Sequence, residues 1–299
     1  MKKYGLDYRK SRASRVFSTC ALSVISLLTL FPIALLVIGS ITDESLLITE
    51  GYKLFPRRLS LEAYRYILNR GSSVGRAYLV TVFTTLTGTL FSILLTTALA
   101  YPMARKTFRY RNALAFFVYF TMLFNGGIVP SYILWTSYLH IKNTYAALIV
   151  PNLLMNAFNV FLIRNFYRNS IPEAIFESAE IDGAPEHILF IKIALPMSVP
   201  VISTVLLFTA LSFWNSWTNA MYYVSDPKYY GIQNYLMRIM KNIEYLKNAA
   251  ETSEDVAITL PGQSIRMALA FTGLLPVAIV YPFVQKYFIK GVIVGAVKG

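Results

Sequence analysis

The sequence predicts an all-α membrane protein with six transmembrane helices. Apolar residues make up 56% of the 299 residues and charged residues only 14%, against roughly 25% charged in ordinary globular chains. The apolar residues are concentrated in charge-free windows, and each window is long enough for a helix that crosses a bilayer, which takes about 20 residues. The windows are 16–42, 77–104, 112–141, 143–163, 193–225 and 267–285.

Basic residues indicate on which side of the membrane each connection lies. The tail 1–15 carries six basic residues against one acidic residue, Asp7, and the short loop 105–111 carries four basic residues and no acidic one. Short cytoplasmic connections are enriched in Lys and Arg, so both segments are predicted to be cytoplasmic. An even number of spans then places the C-terminus inside as well.

The predicted organisation follows from this topology. A basic cytoplasmic tail (1–15) precedes a membrane domain (16–288), and a cytoplasmic tail (289–299) follows it. The long loops 43–76 and 226–266 are extracytoplasmic, and the second is predicted to contain a short helix near 233–246.

The charge excess and the single cysteine narrow the function further. Lys and Arg exceed Asp and Glu by 13. In a membrane protein this excess is explained by topology and by contact with anionic lipid, so no nucleic-acid partner is expected.

Cys20 has no second cysteine to pair with inside the chain. The first window is too long for the apolar region of a signal peptide and is interpreted as a retained span.

The cytoplasmic segment 171–196 departs from the basic trend of the inner side. With its flanks it carries five acidic residues against three basic ones, which indicates a protein partner. Pro172 suits the first turn of a helix, and Asp182-Gly183 predicts its end. Pro185 is predicted to start a second helix that runs into the fifth span. Phe176, Ala179 and Gly183 share one face at helical spacing and would let another surface approach closely.

The same segment resembles the cytoplasmic motif of ABC importer permeases. That motif is Glu-Ala-Ala, three residues, Gly, nine residues, and Ile-x-Leu-Pro. The matching positions are Glu177, Ala179, Gly183, Ile193, Leu195 and Pro196. Ser178 stands at the second motif position in place of alanine, and Asp182 precedes the glycine.

Other stretches resemble the maltose-type second permease of carbohydrate importers. The tail YPFVQKYFIKGVIVGAVKG is similar to that subunit, and NGGIVPSYIL and NTYAALIVPN are similar to the branch that serves complex oligosaccharides of the alginate or pectin type. The resemblance implies a type I importer fold in the cytoplasmic (inner) membrane. It also implies an oligosaccharide cargo delivered by an extracytoplasmic binding protein, and a second permease that is a different chain.

The resemblance further implies how transport is driven. The helix around 177–183 would dock on a separate ATPase dimer, which carries the ATP and Mg, so this chain would bind no cofactor or metal and would not be an enzyme. A C-terminal contact with the ATPase would involve Lys290, Gly291, Gly295 and Lys298. The alternative for the tail is that its lysines reach the inner membrane surface.

Polar and aromatic residues within the windows are candidates for the translocation path. Polar side chains at membrane depth are costly and usually face a cavity or another helix. The candidates are Asn125, Asn152, Asn156, Asn159, Trp214, Asn215 and Trp217, with Asn219 beside them. Asn152, Asn156 and Asn159 are predicted to share one face of the fourth span, at spacings of four and three residues. Contacts between helices explain the asparagines equally well, and an interfacial aromatic belt explains the tryptophans.

The outer loop 43–76 is basic through Arg57, Arg58, Arg65, Arg70 and Arg76. An acidic saccharide or an acidic face of the binding protein would each account for this charge.

Two other classes of protein fit the sequence less well. An ion-coupled secondary transporter or channel usually needs a charged side chain in a span, and the windows contain none. An intramembrane enzyme needs catalytic groups there, whereas the two histidines, His140 and His187, are predicted to lie in loops.

Overall fold

The computed structural model describes residues 12–69, 71–151, 154–251 and 262–296. Within these residues the protein is helical, and the one β contact is an isolated bridge between Thr42 and Leu59. The prediction of an all-α protein is therefore confirmed. The α-helices are α1 Arg12–Ser40, α2 Glu44–Thr49, α3 Glu62–Leu68, α4 Gly71–Ala104, α5 Arg111–Leu123, α6 Ile128–Ile133, α7 Tyr145–Ile149, α8 Ala157–Ser170, α9 Glu173–Ile181, α10 Glu186–Ile188, α11 Leu195–Met197, α12 Val199–Trp214, α13 Thr218–Tyr223, α14 Ile232–Glu251 and α15 Gln263–Ala296.

Two of these helices are each long and apolar enough to cross a membrane alone. They are the stretch Val16–Ser40 of α1 and the whole of α4. Among the described residues there are also two bent helix pairs, and the number of candidate spans is four if each pair counts as one span. Helix α15 contains a shorter apolar stretch, Gln263–Ile279. The six-span topology is consistent with this arrangement and stays a prediction. Helix α4 begins at Gly71, so the predicted outer loop 43–76 ends earlier than the charge pattern suggested.

The third window is a broken helix. Helix α5 and the helical stretch Ile128–Tyr138 meet at an angle of 114°. Asn125 shapes the break, because its Oδ1 accepts a hydrogen bond from the Gly127 N–H at 2.8 Å and Gly127 has a φ of +83°. Glycine adopts this left-handed conformation without a steric penalty.

The fourth window is not one helix, and that part of the prediction was wrong. Helix α7 is short and is capped by the Thr144 hydroxyl, which accepts from the Ala147 N–H. Helix α8 begins only after Asn156, whose side chain accepts from the Asn159 N–H at 3.2 Å, and it continues to Ser170. Apolar composition alone does not reveal these caps, since hydropathy reports burial and not helix continuity.

Residue contacts divide the chain into two units, the first containing the described parts of 1–70 and 240–274, and the second those of 71–239 and 275–299. In the second unit, α4 packs along α12 and α8. Its buried face carries small polar residues such as Thr81, Ser92 and Thr96. Small residues let helix backbones approach closely, which is how helices associate in a membrane.

Hydrogen bonds join the ends of predicted spans in this unit, in an arrangement that is consistent with the predicted topology. Asn143 Oδ1 accepts hydrogen bonds from the Ser225 N–H at 2.7 Å and the Asp226 N–H at 3.2 Å. The start of the fourth window therefore lies beside the end of the fifth, and the loop that follows the fifth is predicted to be extracytoplasmic. Thr81 Oγ1 accepts from the Ile232 N–H at 2.8 Å, at the start of α14. Helix α14 itself confirms the helix predicted near 233–246 and extends it to Glu251.

In the first unit, the Glu44 carboxylate caps the N-terminus of α15. Its oxygens accept hydrogen bonds of 2.7–2.8 Å from the N–H groups of Gly262, Gln263 and Ser264 and from the Ser264 hydroxyl. Burial alone would raise the pKa of Glu44, but these hydrogen bonds outweigh it and lower the pKa below its ordinary value. An anion at this position also suits the helix dipole.

Replacing Glu44 by alanine is expected to lower the thermal stability of the detergent-purified protein. The variant leaves N–H groups at the start of α15 without their acceptor, and losing a helix cap costs about 1–2 kcal/mol. The contribution is present while the carboxylate is ionised and is lost only as the pH falls through its lowered pKa, so the difference from wild type should persist down to about pH 5. Thermal unfolding followed by tryptophan fluorescence measures it.

Glu50→Ala is the matched control. The Glu50 carboxylate pairs with the side chains of Lys53 and Arg57. Glu50 is the C-cap of α2, but it acts there through its backbone N–H, which alanine retains. Exposed ion pairs of this kind contribute little to stability. Equal losses in the Glu44 and Glu50 variants would contradict the capping role.

Candidate coupling site

Helix α9 ends in the way that its sequence predicts. Gly183 has a φ of +78°, its N–H donates to the Glu180 carbonyl at 3.0 Å, and the Ala184 N–H donates to the Ala179 carbonyl at 2.9 Å. This is the Schellman pattern of a helix C-terminus, which satisfies the last carbonyl groups. A Cβ at Gly183 would have no atom within 4 Å, so conformation and not space requires glycine there. The predicted helix stop at Asp182-Gly183 is confirmed.

The coupling segment has two helical arms, α9 and the turns that follow it. The second arm begins at Pro185, as expected, but it does not run straight into the fifth span. Residues Glu186–Met197 form helical turns, of which Leu189–Ala194 are π-helical, and they meet α12 at an angle of 79°. The bend lies at Ser198, which is fully buried. Pro196 and Pro200 flank it, and because neither has an N–H group the helical ladder is interrupted here.

Arg105 forms hydrogen-bonded ion pairs with both arms of the segment. It directly follows the last residue of α4, and it is only 5% exposed. Its Nη1 donates to Glu173 Oε1 at 3.4 Å, and its Nη2 donates to a Glu180 carboxylate oxygen and to Glu186 Oε1 at 3.5 Å. The guanidinium also lies over the Phe176 ring, 4.5 Å from its centroid, which adds a cation–π contact.

Further polar contacts complete this cluster. The Tyr101 hydroxyl, one turn earlier on α4, donates to Glu186 Oε2 at 2.5 Å, and the Thr107 hydroxyl donates to Glu186 Oε1 at 3.4 Å. The exposed Lys106 lies 3.5 Å from Glu173 Oε2. We call the guanidinium of Arg105 with the carboxylates of Glu173, Glu180 and Glu186 the arginine clamp.

The clamp changes the interpretation of the acidic charge in this segment. The sequence suggested that all five acidic residues were available to a protein partner. Three of them are paired with basic residues of the same chain. Glu177 and Asp182 are exposed, and within the described part of the chain neither forms an ion pair.

The face of α9 that is free for a partner is opposite to the one predicted. Phe176 is 5% exposed, and Ala179 packs against the same apolar core. The exposed face consists of residues at positions i, i+3, i+4 and i+7 of the helix. They are Ala174, Glu177, Ser178 and Ile181, and Ile181 is 86% exposed. We call these four residues the outer face of α9.

The last motif positions lie just before the bend. Ile193 packs against the apolar core, Leu195 is half-buried and Pro196 is exposed. The second half of the motif therefore connects the π-helical turn to the start of α12.

Comparison with known proteins identifies the family. The profile of a family described as "Binding-protein-dependent transport system inner membrane component" matches residues 93–294, which include the whole arginine clamp. The chain belongs to this family. It is a multi-pass inner membrane permease of an ABC importer, and such permeases act together with a partner permease, an ATPase and a binding protein. The family match lends no support to a secondary transporter, a channel or an intramembrane enzyme.

Relatives of the permease span almost its full length. It is 35% identical to Protein LplC of Bacillus subtilis over 97% of each chain. It is 37% identical to the polygalacturonan/rhamnogalacturonan transport system permease protein YtcP of the same organism, over 93% of this chain and 96% of that one. Among solved structures, a bacterial ABC transporter involved in the import of the acidic polysaccharide alginate matches with a TM-score of 0.76 and 29% identity, covering 93% of this chain and 98% of that one.

Several candidate path residues of the permease have structural roles. Asn125 shapes the break after α5, and Asn156 caps α8. Asn159 is buried and donates to Thr209 Oγ1 of α12 at 3.4 Å, which is a contact between helices. The prediction that Asn152, Asn156 and Asn159 share one helical face was wrong, because α8 begins after Asn156, and Asn152 lies outside the described residues.

The candidates near the end of α12 differ among themselves. Asn219 is buried and donates to the Pro151 carbonyl at 2.7 Å, so it has a structural role. Trp214 lines an apolar cavity of about 330 Å³ between α4, α12 and α15. Asn215 is exposed at the C-cap of α12, and Trp217 is half-buried, with its carbonyl accepting from the Asn234 amide at 3.4 Å.

The C-terminal candidates lie in or beyond α15. Lys290, Gly291 and Gly295 belong to this helix, which continues to Ala296, and Lys298 lies outside the described residues. No helix end marks the predicted tail boundary at 289.

Arg105 is the residue of the site that sequence reasoning missed. It was interpreted only as one of the basic residues that fix topology. The available signal was its position, since it directly follows an apolar window, and a segment predicted to lie on the same side of the membrane carries an excess of carboxylates.

Proposed function

We propose that this permease imports an oligosaccharide that carries carboxylate groups, released to it by an extracytoplasmic binding protein. The observation that carries the proposal is the agreement among its relatives. One full-length relative is named for transport of polygalacturonan and rhamnogalacturonan, and the matching solved structure belongs to an importer of the acidic polysaccharide alginate.

The outer segment 43–76 supports a negatively charged cargo. Arg57, Arg58 and Arg65 are exposed, and the Arg57 side chain retains 80% of its accessible surface beside an ion pair of 3.7 Å with Glu50. Exposed guanidinium groups attract carboxylates over about a Debye length, roughly 8 Å at physiological salt. The same charge would also orient an acidic binding protein.

A matched pair of sugars tests the cargo. The probes are a trigalacturonate and the same trisaccharide after reduction of its carboxyl groups, each added with the binding protein to the importer reconstituted in vesicles. The acidic sugar is expected to stimulate ATP hydrolysis and to be imported, and the reduced sugar is not. Equal stimulation of ATP hydrolysis by both sugars would refute the proposal of an acidic cargo, but not the conclusion that the chain is a permease for oligosaccharides.

We also propose that the outer face of α9 docks on the ATPase. The motif Glu177, Ser178, Ala179, Gly183, Ile193, Leu195 and Pro196 supports this role. Small residues at 174 and 178 allow close approach, and Ile181 offers an apolar side chain to a pocket. ATP and Mg bind on that separate subunit, and this chain holds no cofactor of its own. Coupling requires that ATP and the loaded binding protein favour the same conformation through differential affinity.

The remaining path and tail candidates belong to the same proposal. Asn215 and Trp217 are the best placed to meet cargo, since Asn215 is exposed and Trp217 half-buried at the end of α12 that lies opposite its bend. Lys290, Gly291, Gly295 and Lys298 are proposed as a second contact with the ATPase.

A further inference from the structure

The arginine clamp joins three parts of the cytoplasmic side. Glu173 is the first residue of α9, Glu180 lies in its last turn, and Glu186 is the first residue of α10 in the second arm. Arg105 comes from the end of α4. One buried guanidinium therefore fixes both ends of α9 and the start of the next arm to the longest helix of the second unit.

We infer that Arg105 is a positioning residue that makes α9, the second arm and α4 move as one body when the ATPase moves α9. The inference rests on the proposed docking of α9. It assigns to Arg105 the transfer of motion from the docking helix to the spans, a role separate from docking itself. Because α4 packs along α12 and α8, a displacement of α4 is passed to the main body of its unit.

The geometry favours arginine over any other cation here. Its planar guanidinium presents donors in several directions at once, whereas a lysine ammonium is a compact charge on a flexible stem. The Arg105 Nη1 and Nη2 atoms donate to carboxylates of α9 and of the second arm, and Cζ lies 4.5 Å from the centroid of the Phe176 ring. Lysine at 105 would keep the charge but could not reach all three carboxylates in this way.

The other contacts of α9 with α4 are less directional. Phe176 meets the Tyr101 ring at a centroid distance of 6.4 Å, and both belong to the apolar core. Apolar contacts have no preferred direction and allow neighbouring helices to slide. Charge-assisted hydrogen bonds fix both distance and orientation. The clamp is therefore the contact that turns a displacement of α9 into a displacement of α4.

The first test measures how ATP hydrolysis and import are coupled in the complete importer, with trigalacturonate as the imported probe. Arg105→Gln is expected to raise the ATP hydrolysed per sugar imported by about tenfold, within the usual range of coupling between sites. The ratio for Arg105→Lys should lie between the ratios for Arg105→Gln and for wild type. Lys106→Gln is the matched control, because Lys106 neighbours Arg105 but is exposed, and the ion pair it forms among the described residues is with Glu173 alone, at 3.5 Å. It should leave the ratio unchanged. A proportional fall of hydrolysis and import, or an unchanged ratio in both Arg105 variants, would overturn the inference.

The second test needs no sugar. Spin labels at Leu94 of α4 and Ile191 of the second arm, both exposed, are introduced after Cys20→Ser removes the single native thiol. In the assembled importer, the distribution of distances between the labels should be narrow, and it should be the same without nucleotide and with ATP plus vanadate. In the Arg105→Gln variant, ATP plus vanadate should broaden this distribution or shift its mean. An unchanged distribution in the variant would refute the inference, whereas failure of the wild-type chain to retain its ATPase would refute the docking proposal instead.

Discussion

Replacing Gly88 of α4 by leucine is expected to prevent accumulation of the folded permease. A Cβ at Gly88 would lie 2.4 Å from Cε1 and 2.5 Å from Cζ of Phe213, far inside contact distance. Phe213 belongs to α12 and is 3% exposed, so its ring has no free space to enter. Overpacking a core costs about 1–3 kcal/mol for an added methylene or two and more for a whole side chain. Even Gly88→Ala should lose stability, although alanine is the better helix former. The amount of monodisperse protein after detergent extraction measures the effect.

A compensating change and a matched control make this prediction specific. Phe213→Leu removes the ring atoms that a Cβ at position 88 would meet, so the Gly88→Ala/Phe213→Leu protein should be more stable than Gly88→Ala alone. Gly75 lies on the same helix, and a Cβ there would meet no atom within 4 Å. Gly75→Ala should therefore be neutral or slightly stabilising. A Gly88→Ala protein as stable as Gly75→Ala would show that α4 and α12 do not pack in this way.

Replacing Ile181 by glutamate is expected to abolish ATP-driven import while the permease still folds and inserts. Ile181 is 86% exposed at the end of α9, so the change removes no contact of the core. In the proposed interface it would place a charge in an apolar pocket. Loss of a central interface residue costs about 2 kcal/mol or more, which is a fall of roughly thirtyfold in affinity. Uptake of trigalacturonate in cells and recovery of the ATPase with the purified permease measure the loss.

The same substitution elsewhere in the chain provides the control. Ile48 is an isoleucine of α2 that is 69% exposed, and it lies in the segment predicted to be extracytoplasmic. Ile48→Glu should retain the ATPase and import normally, and Ile181→Leu should be close to wild type. If the two glutamate variants imported equally well, Ile181 would have no part in docking.

The coupling segment shows how far the sequence alone can be interpreted. Local chemistry predicted the end of α9 correctly, because the Asp182-Gly183 pair determines a helix C-terminus without help from the rest of the fold. The orientation of α9 could not be predicted in this way. Phe176 and Ala179 face inward because Arg105, about 70 residues earlier in the chain, draws the carboxylates of α9 towards α4. Contacts so distant in sequence leave no local pattern.

The spans illustrate the same limit. Charge-free windows predicted an apolar helical protein, since membrane depth excludes charge whatever the helix geometry. They did not predict the breaks at Asn125, before Asn156 and at Ser198. The signals for these breaks were present as a glycine pair after Asn125, a capping asparagine, and the prolines on either side of Ser198. Turn and cap residues within an apolar run therefore carry information that hydropathy does not.

Site-directed cross-linking tests the central claim, the docking of α9 on the ATPase, most directly. A single cysteine at Ile181, in the Cys20→Ser background, is treated with a short bifunctional reagent in membranes that contain the whole importer. We expect a covalent product of the permease with the ATPase subunit. A cysteine at Phe55, which is 89% exposed in the segment predicted to be extracytoplasmic, should give no such product. A cross-link from position 55 but not from position 181, with both cysteines equally reactive, would contradict the account.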